Sequence, residues 1–234
     1  MADGVAPELA PLFSAAEYIN DGKLHILLAA SGSVATIKLP NIAEALGRHA
    51  NVSLRIVLTA SSSKFLAGQS AEQPSLEQIR RLPNVDGIYQ DLDEWKVPWV
   101  RGSSILHIEL RRWAHFMLIA PLSANTLAKM ALGLADNLLL SVVRAWDVHG
   151  TVEPARTIYV APSMNTMMWK HPLTEKHIKT LERGWNADSM EGRSWITVLK
   201  PMEKELACGD TGDGAMRDWR VIVKFIEEDV GLDL

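Results

Sequence analysis

The residues best able to do chemistry lie in a short stretch from Leu106 to Thr126, which reads LHIELRRWAHFMLIAPLSANT. His107 and Arg111 are four positions apart on a predicted amphipathic helix, with Arg112 beside them. An imidazole exchanges protons near neutral pH, and an arginine can bind a carboxylate or a phosphate through two hydrogen bonds. The stretch therefore combines acid–base groups with groups that bind anions.

Polar loops follow several predicted strands. The apolar run 115–120 is predicted to be a buried strand that ends at Pro121, and a helix opens at Ser123–Thr126. Similar loops follow strands at Ser31–Ser33 and Thr59–Ser63. One such loop is usually only a helix cap, but parallel strands place their carboxyl ends at one edge of the sheet. The three hydroxyl-rich loops together predict a site for a ligand that carries a phosphate monoester.

The elements around these loops alternate as strand, tight loop and helix. This alternation predicts an α/β fold with a doubly wound parallel sheet. Pro40 interrupts the first helix, which must kink or restart there. The predicted strands are residues 24–30, 52–59, 115–120, 157–161 and 194–199, and the predicted helices are residues 34–46, 106–113, 123–132, 136–146, 172–181 and 221–229.

Composition limits the classes of function. The 234 residues are 47% hydrophobic and 22% charged, which is ordinary for a globular chain, and the net charge of −4 without a basic patch argues against nucleic acid. The single cysteine, Cys208, excludes an internal disulfide and suits a reducing compartment. Neither a membrane-spanning run nor a signal peptide is evident, so we expect a cytoplasmic protein with no membrane partner.

Two further segments contain polar groups in unusual surroundings. Asn165 lies among methionines after a predicted strand, where a bound ligand could satisfy its amide. Cys208 lies among glycines and aspartates, which favours a reactive thiol on a mobile flap. Asp91, Asp93 and Glu94 have no spacing typical of metal ligands, so we interpret them as a solvated face and expect no metal site.

Six segments, in order, resemble the homo-oligomeric flavin-containing cysteine decarboxylases, and most closely those that act on 4'-phosphopantothenoylcysteine in coenzyme A biosynthesis. The segments are ASGSVA at 30–35, LHIELRRWA at 106–114, APLSANTLAK at 120–129, DNLL with RAWD at 136–139 and 144–147, PSMNTMMW at 162–169, and ACGDTGDGAM at 207–216.

This resemblance implies a Rossmann-like (flavodoxin-like) fold and a homotrimer with FMN between neighbouring subunits. It implies a single three-layer flavoprotein domain at 23–234, with a substrate flap at about 200–217, behind an N-terminal arm at 1–22. It also assigns roles to individual residues. The implied catalytic residues are His107 and Cys208, the implied substrate-binding residues are Asn165, Arg112, Met168, Leu206 and Ala207, and the implied FMN-binding residues are Ser33, Val34, Ala35, Thr59, Ser61, Ser123, Ala124, Asn125, Thr126 and Ser163.

The chemistry implied by the resemblance is that of a carboxy-lyase. In that family the flavin oxidises the thiol end of the substrate to a thioaldehyde, CO2 leaves to give an enethiolate, and the hydride returns while Cys208 would supply a proton. His107 would act as a base or orient the substrate carboxylate. The family usually has alanine in place of Ser163, and residues 185–195 are longer here than in typical members.

Two alternatives remain. A regulatory member of the same family would bind and inhibit a protein phosphatase, but such members generally carry a long acidic tail, whereas this chain ends at Leu234 with few acidic residues. A flavin prenyltransferase shares the expected fold and a similar first loop. It has no use for the ACGDTGDGAM flap.

Overall fold

The computed structural model describes residues 13–184, 195–205 and 211–232. Its centre is a six-stranded sheet in which every pair of neighbouring strands is parallel. Two short antiparallel pairs lie outside this sheet. The strands are β1 (Leu24–Ala30), β2 (Val52–Leu58), β3 (Ala67–Ser70), β4 (Gln73–Ser75), β5 (Val85–Tyr89), β6 (Phe116–Leu122), β7 (Ile158–Pro162), β8 (Ile196–Val198), β9 (Met202–Glu205) and β10 (Thr211–Ala215).

The strand order is β5-β2-β1-β6-β7-β8. Counted along the chain within this sheet, it reads 3-2-1-4-5-6, the order of the Rossmann type. The predicted doubly wound α/β class is therefore confirmed. The order reverses between β1 and β6, and open α/β folds bind their ligands outside the carboxyl ends of the strands at such a point.

Helices connect the strands and cover both faces of the sheet. Pro40 lies in the first turn of α1, after a separate 3-10 turn at Val34–Lys38, so the helix restarts there as one of the two predicted outcomes. The helices are α1 (Leu39–Leu46), α2 (Ala60–Ser63), α3 (Leu76–Arg80), α4 (Asp91–Glu94), α5 (Leu106–Trp113), α6 (Ala124–Ala131), α7 (Leu138–Arg144), α8 (Thr166–Trp169), α9 (Pro172–Lys179) and α10 (Trp219–Val230).

The core consists of two apolar clusters, one on each face of the sheet. Alternate residues of β1 belong to different clusters: Ile26 packs with α1 and α10, whereas Leu27 packs with α5, α6 and α7. Both side chains are fully buried. Burying each such side chain contributes about 1.5–3 kcal/mol, so the two clusters hold the sheet edge rigidly between two helical layers.

Two details of the central region differ from prediction. The strand predicted to end at Pro121 continues through it, because a proline lacks only the N–H donor. The Pro121 carbonyl still accepts hydrogen bonds from Ser31, at 3.0 Å from the backbone nitrogen and 3.2 Å from Oγ. Strand β5 was not predicted.

Within the described residues, no helix combines the length and apolar composition needed to cross a bilayer.

Candidate functional site

The three hydroxyl-rich loops meet at one edge of the sheet, as predicted, because β2, β1 and β6 are adjacent parallel strands. Side-chain and backbone hydrogen bonds join the loops directly. The backbone N–H of Ser123 donates to Ser31 Oγ at 2.8 Å, and Ser62 Oγ donates to the carbonyl of Ala30 at 2.9 Å. Hydrogen bonds within the chain therefore hold the three loops together along this edge.

Each loop also caps the helix or turn that follows it. Ser33 caps the 3-10 turn, Thr59 Oγ1 accepts from Ser62 N at 3.3 Å, and Ser123 Oγ accepts from Thr126 N at 3.3 Å. The first backbone N–H groups of a helix have no partner within the helix. The start of α6 therefore retains N–H donors that can bind an anion.

Gly32 brings the first two loops into close contact. A Cβ atom at this position would lie 2.4 Å from Ser61 Oγ and 2.7 Å from Ser61 Cβ, closer than side chains tolerate. Ser33 Oγ donates to Ser163 Oγ at 2.9 Å, which ties the first loop to the end of β7. These contacts fix the spacing of the groups along the edge.

The loops border a cavity of about 1140 Å³. Ligand pockets commonly have volumes of roughly 300–1,000 Å³, so this cavity has room for a cofactor together with a substrate. The residues assigned from the resemblance that line it are Ser33, Val34, Ala35, Ser61, Ser123, Ala124, Asn125, Ser163, Asn165 and Met168.

Other assigned residues lie elsewhere. Thr59 and Thr126 are buried beneath the loops, where they hold the caps. His107 and Arg112 do not line the cavity. Residues 206–208, which include Cys208 with Leu206 and Ala207, lie outside the described residues.

Asn165 presents an amide donor at the cavity. Its Oδ1 accepts from the backbone N–H of Met167 at 2.8 Å, which caps α8. Among the described residues its Nδ2 group has no hydrogen-bond partner, so this group can donate to a ligand. A carboxylate accepts such a bond without electrostatic repulsion.

The hairpin formed by β9 and β10 rests on the segment that carries Asn165. The carbonyl of Gly214 accepts from Met164 N at 2.9 Å, and Lys170 pairs with Asp213 at 2.9 Å. A Cβ at Gly212 would lie 1.7 Å from Thr166 Oγ1. The absence of a side chain at Gly212 therefore allows this approach.

His107 lies in the first turn of α5 and is paired with a carboxylate that the sequence did not identify. Its Nδ1 lies 2.8 Å from Glu94 Oε1, and the exposed fraction of the Glu94 side chain is 5%. Asp91 accepts from Leu138 N, and Asp93 accepts from Gln90 N. The interpretation of this acidic segment as a solvated face was wrong, because Asp91 and Glu94 accept hydrogen bonds from other helices and Asp93 accepts one from the start of its own helix.

The two arginines of the same stretch are paired within the chain. Arg111 lies 2.9 Å from Glu153 and is mostly buried. Arg112 lies 3.1 Å from Glu109, and about half of its side chain is exposed (49%). Arg111 therefore forms a structural ion pair. Of the two arginines, only Arg112 has a substantially exposed side chain.

His115 belongs to a different region, at the start of β6. Its Nδ1 accepts the backbone N–H of His25 at 2.9 Å, and the two rings stack at 4.8 Å. Partial burial, together with the charges of His25 and Arg156, lowers the pKa of His115 to about 4. The two histidines of this stretch therefore lie apart, because His107 is in the first turn of α5 and His115 follows the end of that helix, next to the start of β6.

Sequence reasoning missed the cationic residues of the cavity. Lys38, Arg217 and Arg220 line it, and Asp218, 3.7 Å from Arg220, lines it as well. Lys38 follows the ASGSVA segment by one turn, and that spacing was the only local signal. The two arginines are about 180 positions from Lys38 in the chain, and only the fold brings them to the cavity.

Comparisons with known proteins agree with this architecture. The family model described as Flavoprotein matches residues 14–231. A protein named "Probable phosphopantothenoylcysteine decarboxylase" from Arabidopsis thaliana is 47% identical over 205 residues, covering 87% of each chain. "Probable thymidylate synthase" from Schizosaccharomyces pombe is 40% identical over 92% of this chain, which spans only 31% of that protein.

Two solved structures are similar over most of their length. A variant of PPC decarboxylase complexed with pantothenoylaminoethenethiol has a TM-score of 0.73 and 40% identity, covering 89% of this chain and 99% of that one. The FMN binding protein AtHal3 has a TM-score of 0.70 and 42% identity, covering 91% of this chain and 99% of that one. The chain therefore belongs to the Flavoprotein family and, within it, is similar to the phosphopantothenoylcysteine decarboxylases.

Proposed function

We propose that this protein is an FMN-dependent carboxy-lyase that converts 4'-phosphopantothenoylcysteine to 4'-phosphopantetheine in coenzyme A biosynthesis. The observation that carries the proposal is the composition of one cavity. Its lining combines hydroxyl-rich loops and helix-start N–H donors with the amide donor of Asn165 and the cationic side chains of Lys38, Arg217 and Arg220. The similarity to proteins named phosphopantothenoylcysteine decarboxylase supports the same reaction.

The residues of the loops fit the phosphate and ring of FMN. Helix-start N–H groups of α6 and the hydroxyls of Ser33 and Ser123 can bind a phosphate monoester. Gly32 keeps the first loop free of a side chain where the loops approach most closely. When bound, FMN supplies the two-electron acceptor and donor that a cysteinyl carboxylate needs to lose CO2 without net oxidation.

The remaining residues of the cavity bind and orient the substrate. Asn165 donates from Nδ2 to the carboxylate that will leave as CO2. Lys38 and Arg217 provide positive charge for the substrate phosphate. Cys208 on the flap supplies the proton that completes the product, and His107 acts as the base.

We also propose a homotrimer in which FMN and substrate lie between subunits. His107 does not line the cavity of its own chain, and a trimer would bring the His107 of one chain to the cavity of its neighbour. The segment around Glu94, the partner of His107, exposes apolar side chains: the exposed fractions are 85% for Leu92, 77% for Trp95 and 58% for Trp99. A patch of this kind is typical of a protein interface.

We propose the domain boundaries and the location of the protein from the family resemblance. Residues 23–234 form one flavoprotein domain behind an arm at 1–22, the flap comprises about residues 200–217, and the protein is cytoplasmic.

The test is anaerobic incubation of the purified, flavin-loaded protein with 4'-phosphopantothenoylcysteine, followed by measurement of CO2 and 4'-phosphopantetheine. We expect both products in equal amounts, and we expect His107→Asn to retain the flavin absorbance while losing turnover. Bound FMN without CO2 release would refute the proposal. Inhibition of a protein phosphatase by that same inactive protein would support the regulatory alternative.

A further inference from the structure

The carboxylate of Glu94 makes two hydrogen bonds to a single residue, His107. Oε1 lies 2.8 Å from the ring nitrogen Nδ1, and Oε2 accepts the backbone N–H at 3.2 Å. The carboxylate is almost completely buried, and about a quarter of the histidine side chain is exposed. Burying a charged carboxylate is costly unless its partners are well placed, so this pair has a defined geometry.

We propose that Glu94 is a positioning residue that holds neutral His107 as the Nδ1–H tautomer and so leaves Nε2 as the proton-accepting nitrogen. A carboxylate can only accept hydrogen bonds, which places the ring proton on Nδ1. Among the described residues Nε2 has no hydrogen-bond partner. The basic nitrogen therefore faces away from Glu94 and is free to meet a substrate.

The inference rests on the proposed decarboxylase and deepens it by assigning a proton transfer. The S–H bond of the substrate thiol breaks, its proton forms a bond to Nε2, and the electron pair stays on sulfur. His107 becomes an imidazolium with a proton on each nitrogen. The negative charge of Glu94 stabilises that cation, as the carboxylate of a serine-protease triad does.

Glu94 is itself held by the two acidic residues that precede it. Asp93 accepts the backbone N–H of Gln90 at 2.8 Å, which closes the first turn of α4. Asp91 accepts the backbone N–H of Leu138 at 3.0 Å, which fastens α4 to the start of α7. The backbone position of Glu94 is thus fixed by the capped turn of α4 and by its attachment to α7.

Glu94 also completes the start of α5. The residue before this helix, Ile105, has no side-chain oxygen to accept a hydrogen bond from the first turn. Glu94 Oε2 accepts the backbone N–H of His107 instead. A purely structural role as this distant cap is the competing explanation, and the experiment must separate the two.

The experiment compares Glu94→Leu, Glu94→Gln and Glu94→Asp with unmodified protein, using flavin-loaded protein labelled with 15N at histidine. Long-range 1H–15N spectra report the tautomer, with the His107 signals assigned from the His107→Asn variant. Steady-state assays with 4'-phosphopantothenoylcysteine report kcat and KM, and thermal unfolding reports stability. Glu77→Gln, a change in an exposed ion pair with Arg81, is the matched control.

We expect the Nδ1–H tautomer in the unmodified protein and a shift toward Nε2–H in Glu94→Leu. Its kcat should fall about 100-fold, the lower end of what a positioned acid–base group contributes, with a smaller change in KM and unchanged FMN content. The kcat of Glu94→Gln should also fall, because its amide has one acceptor oxygen for the two N–H donors of His107. Glu94→Asp keeps both oxygens and should recover part of the rate.

Three outcomes would overturn the inference: the Nε2–H tautomer in the unmodified protein, wild-type kcat in Glu94→Leu, or a loss of thermal stability with no change in tautomer or kcat. If Glu94→Leu does not fold, Glu94→Asp and Glu94→Gln give the same comparison. An unmodified protein that shows the Nδ1–H tautomer but releases no CO2 would refute the proposed function while supporting the pairing itself.

Discussion

Replacing Gly32 with alanine tests whether contact between the first two hydroxyl-rich loops shapes the flavin site. The new Cβ would lie 2.4 Å from Ser61 Oγ and 2.7 Å from Ser61 Cβ. Rotation about the Ser61 side chain can move Oγ away, but its Cβ is fixed to the backbone. The two loops must therefore separate, and both line the cavity.

The size of the effect follows from the cost of overpacking. Inserting a methyl group into a well-packed region costs about 1–3 kcal/mol. If this cost falls on the flavin-bound state, the Kd for FMN rises roughly 5- to 150-fold, because about 1.4 kcal/mol corresponds to a factor of ten. The sheet and its two apolar clusters are not altered, so far-UV circular dichroism should not change.

The assay is titration of the apoprotein with FMN, followed by flavin fluorescence. Ser61→Gly removes both atoms that the new methyl group would meet, so the double variant Gly32→Ala with Ser61→Gly should recover much of the lost affinity. The single Ser61→Gly variant completes the double-mutant cycle and measures the coupling directly.

Two results would show that the reasoning is wrong. Gly32→Ala could bind FMN as tightly as the unmodified protein, which would mean that the loops adapt without cost. Alternatively, the double variant could be as weak as Gly32→Ala alone, which would place the damage somewhere other than the contact with Ser61.

Three other predictions concern single side chains. Ser163→Ala removes the acceptor of the Ser33 hydroxyl and should weaken FMN binding about fivefold, since one neutral hydrogen bond contributes about 1 kcal/mol; an unchanged Kd would contradict this. Lys38→Gln should raise KM about 10-fold or more for the phosphorylated substrate, but not for pantothenoylcysteine, because a bond to a charged group contributes about 1.5–3 kcal/mol; steady-state kinetics with both substrates tests it. The folded-state pKa of His115 is lowered from 6.5 to about 4, so the unfolded chain binds more protons between these values and stability falls as pH falls through this window. In His115→Gln the stability should depend less on pH in this window, by on the order of 1 kcal/mol in the free energy of unfolding, because the ring is partly exposed. Melting temperature measured against pH tests this, and an unchanged fall in melting temperature between pH 6.5 and 4 would refute the lowered pKa of His115.

Residues 24–30 show why much of the fold was predictable from sequence. The run is apolar throughout, as a strand buried on both faces must be, and a polar loop and a helix pattern follow it directly. The same local pattern recurs at β2, β6 and β7. A parallel sheet with the three loops at one edge could therefore be predicted from it. Strand β5 was missed because it lies at the edge of the sheet, contains Gly87 and buries few side chains.

The candidate site was less predictable where partners are distant in the chain. The resemblance assigned His107, but nothing local marks Glu94 as its partner, because the two residues are 13 positions apart with an irregular loop between them. Acidic residues beside an exposed tryptophan have the composition of a solvated surface. Only the packing of α4 against α5 and α7 shows that their carboxylates are engaged.

The docking of the β9–β10 hairpin onto α8 constrains how this enzyme could be redesigned for larger substrates. Gly214 meets the backbone of Met164 at a distance that leaves no space for a methyl group, and Met164 lines the cavity. The hairpin and the segment that carries Asn165 are therefore packed directly against each other, and neither can move outward alone. Directed evolution of the pocket should yield paired substitutions, one in the hairpin and one in that segment, whereas libraries confined to either of them should return mostly inactive variants.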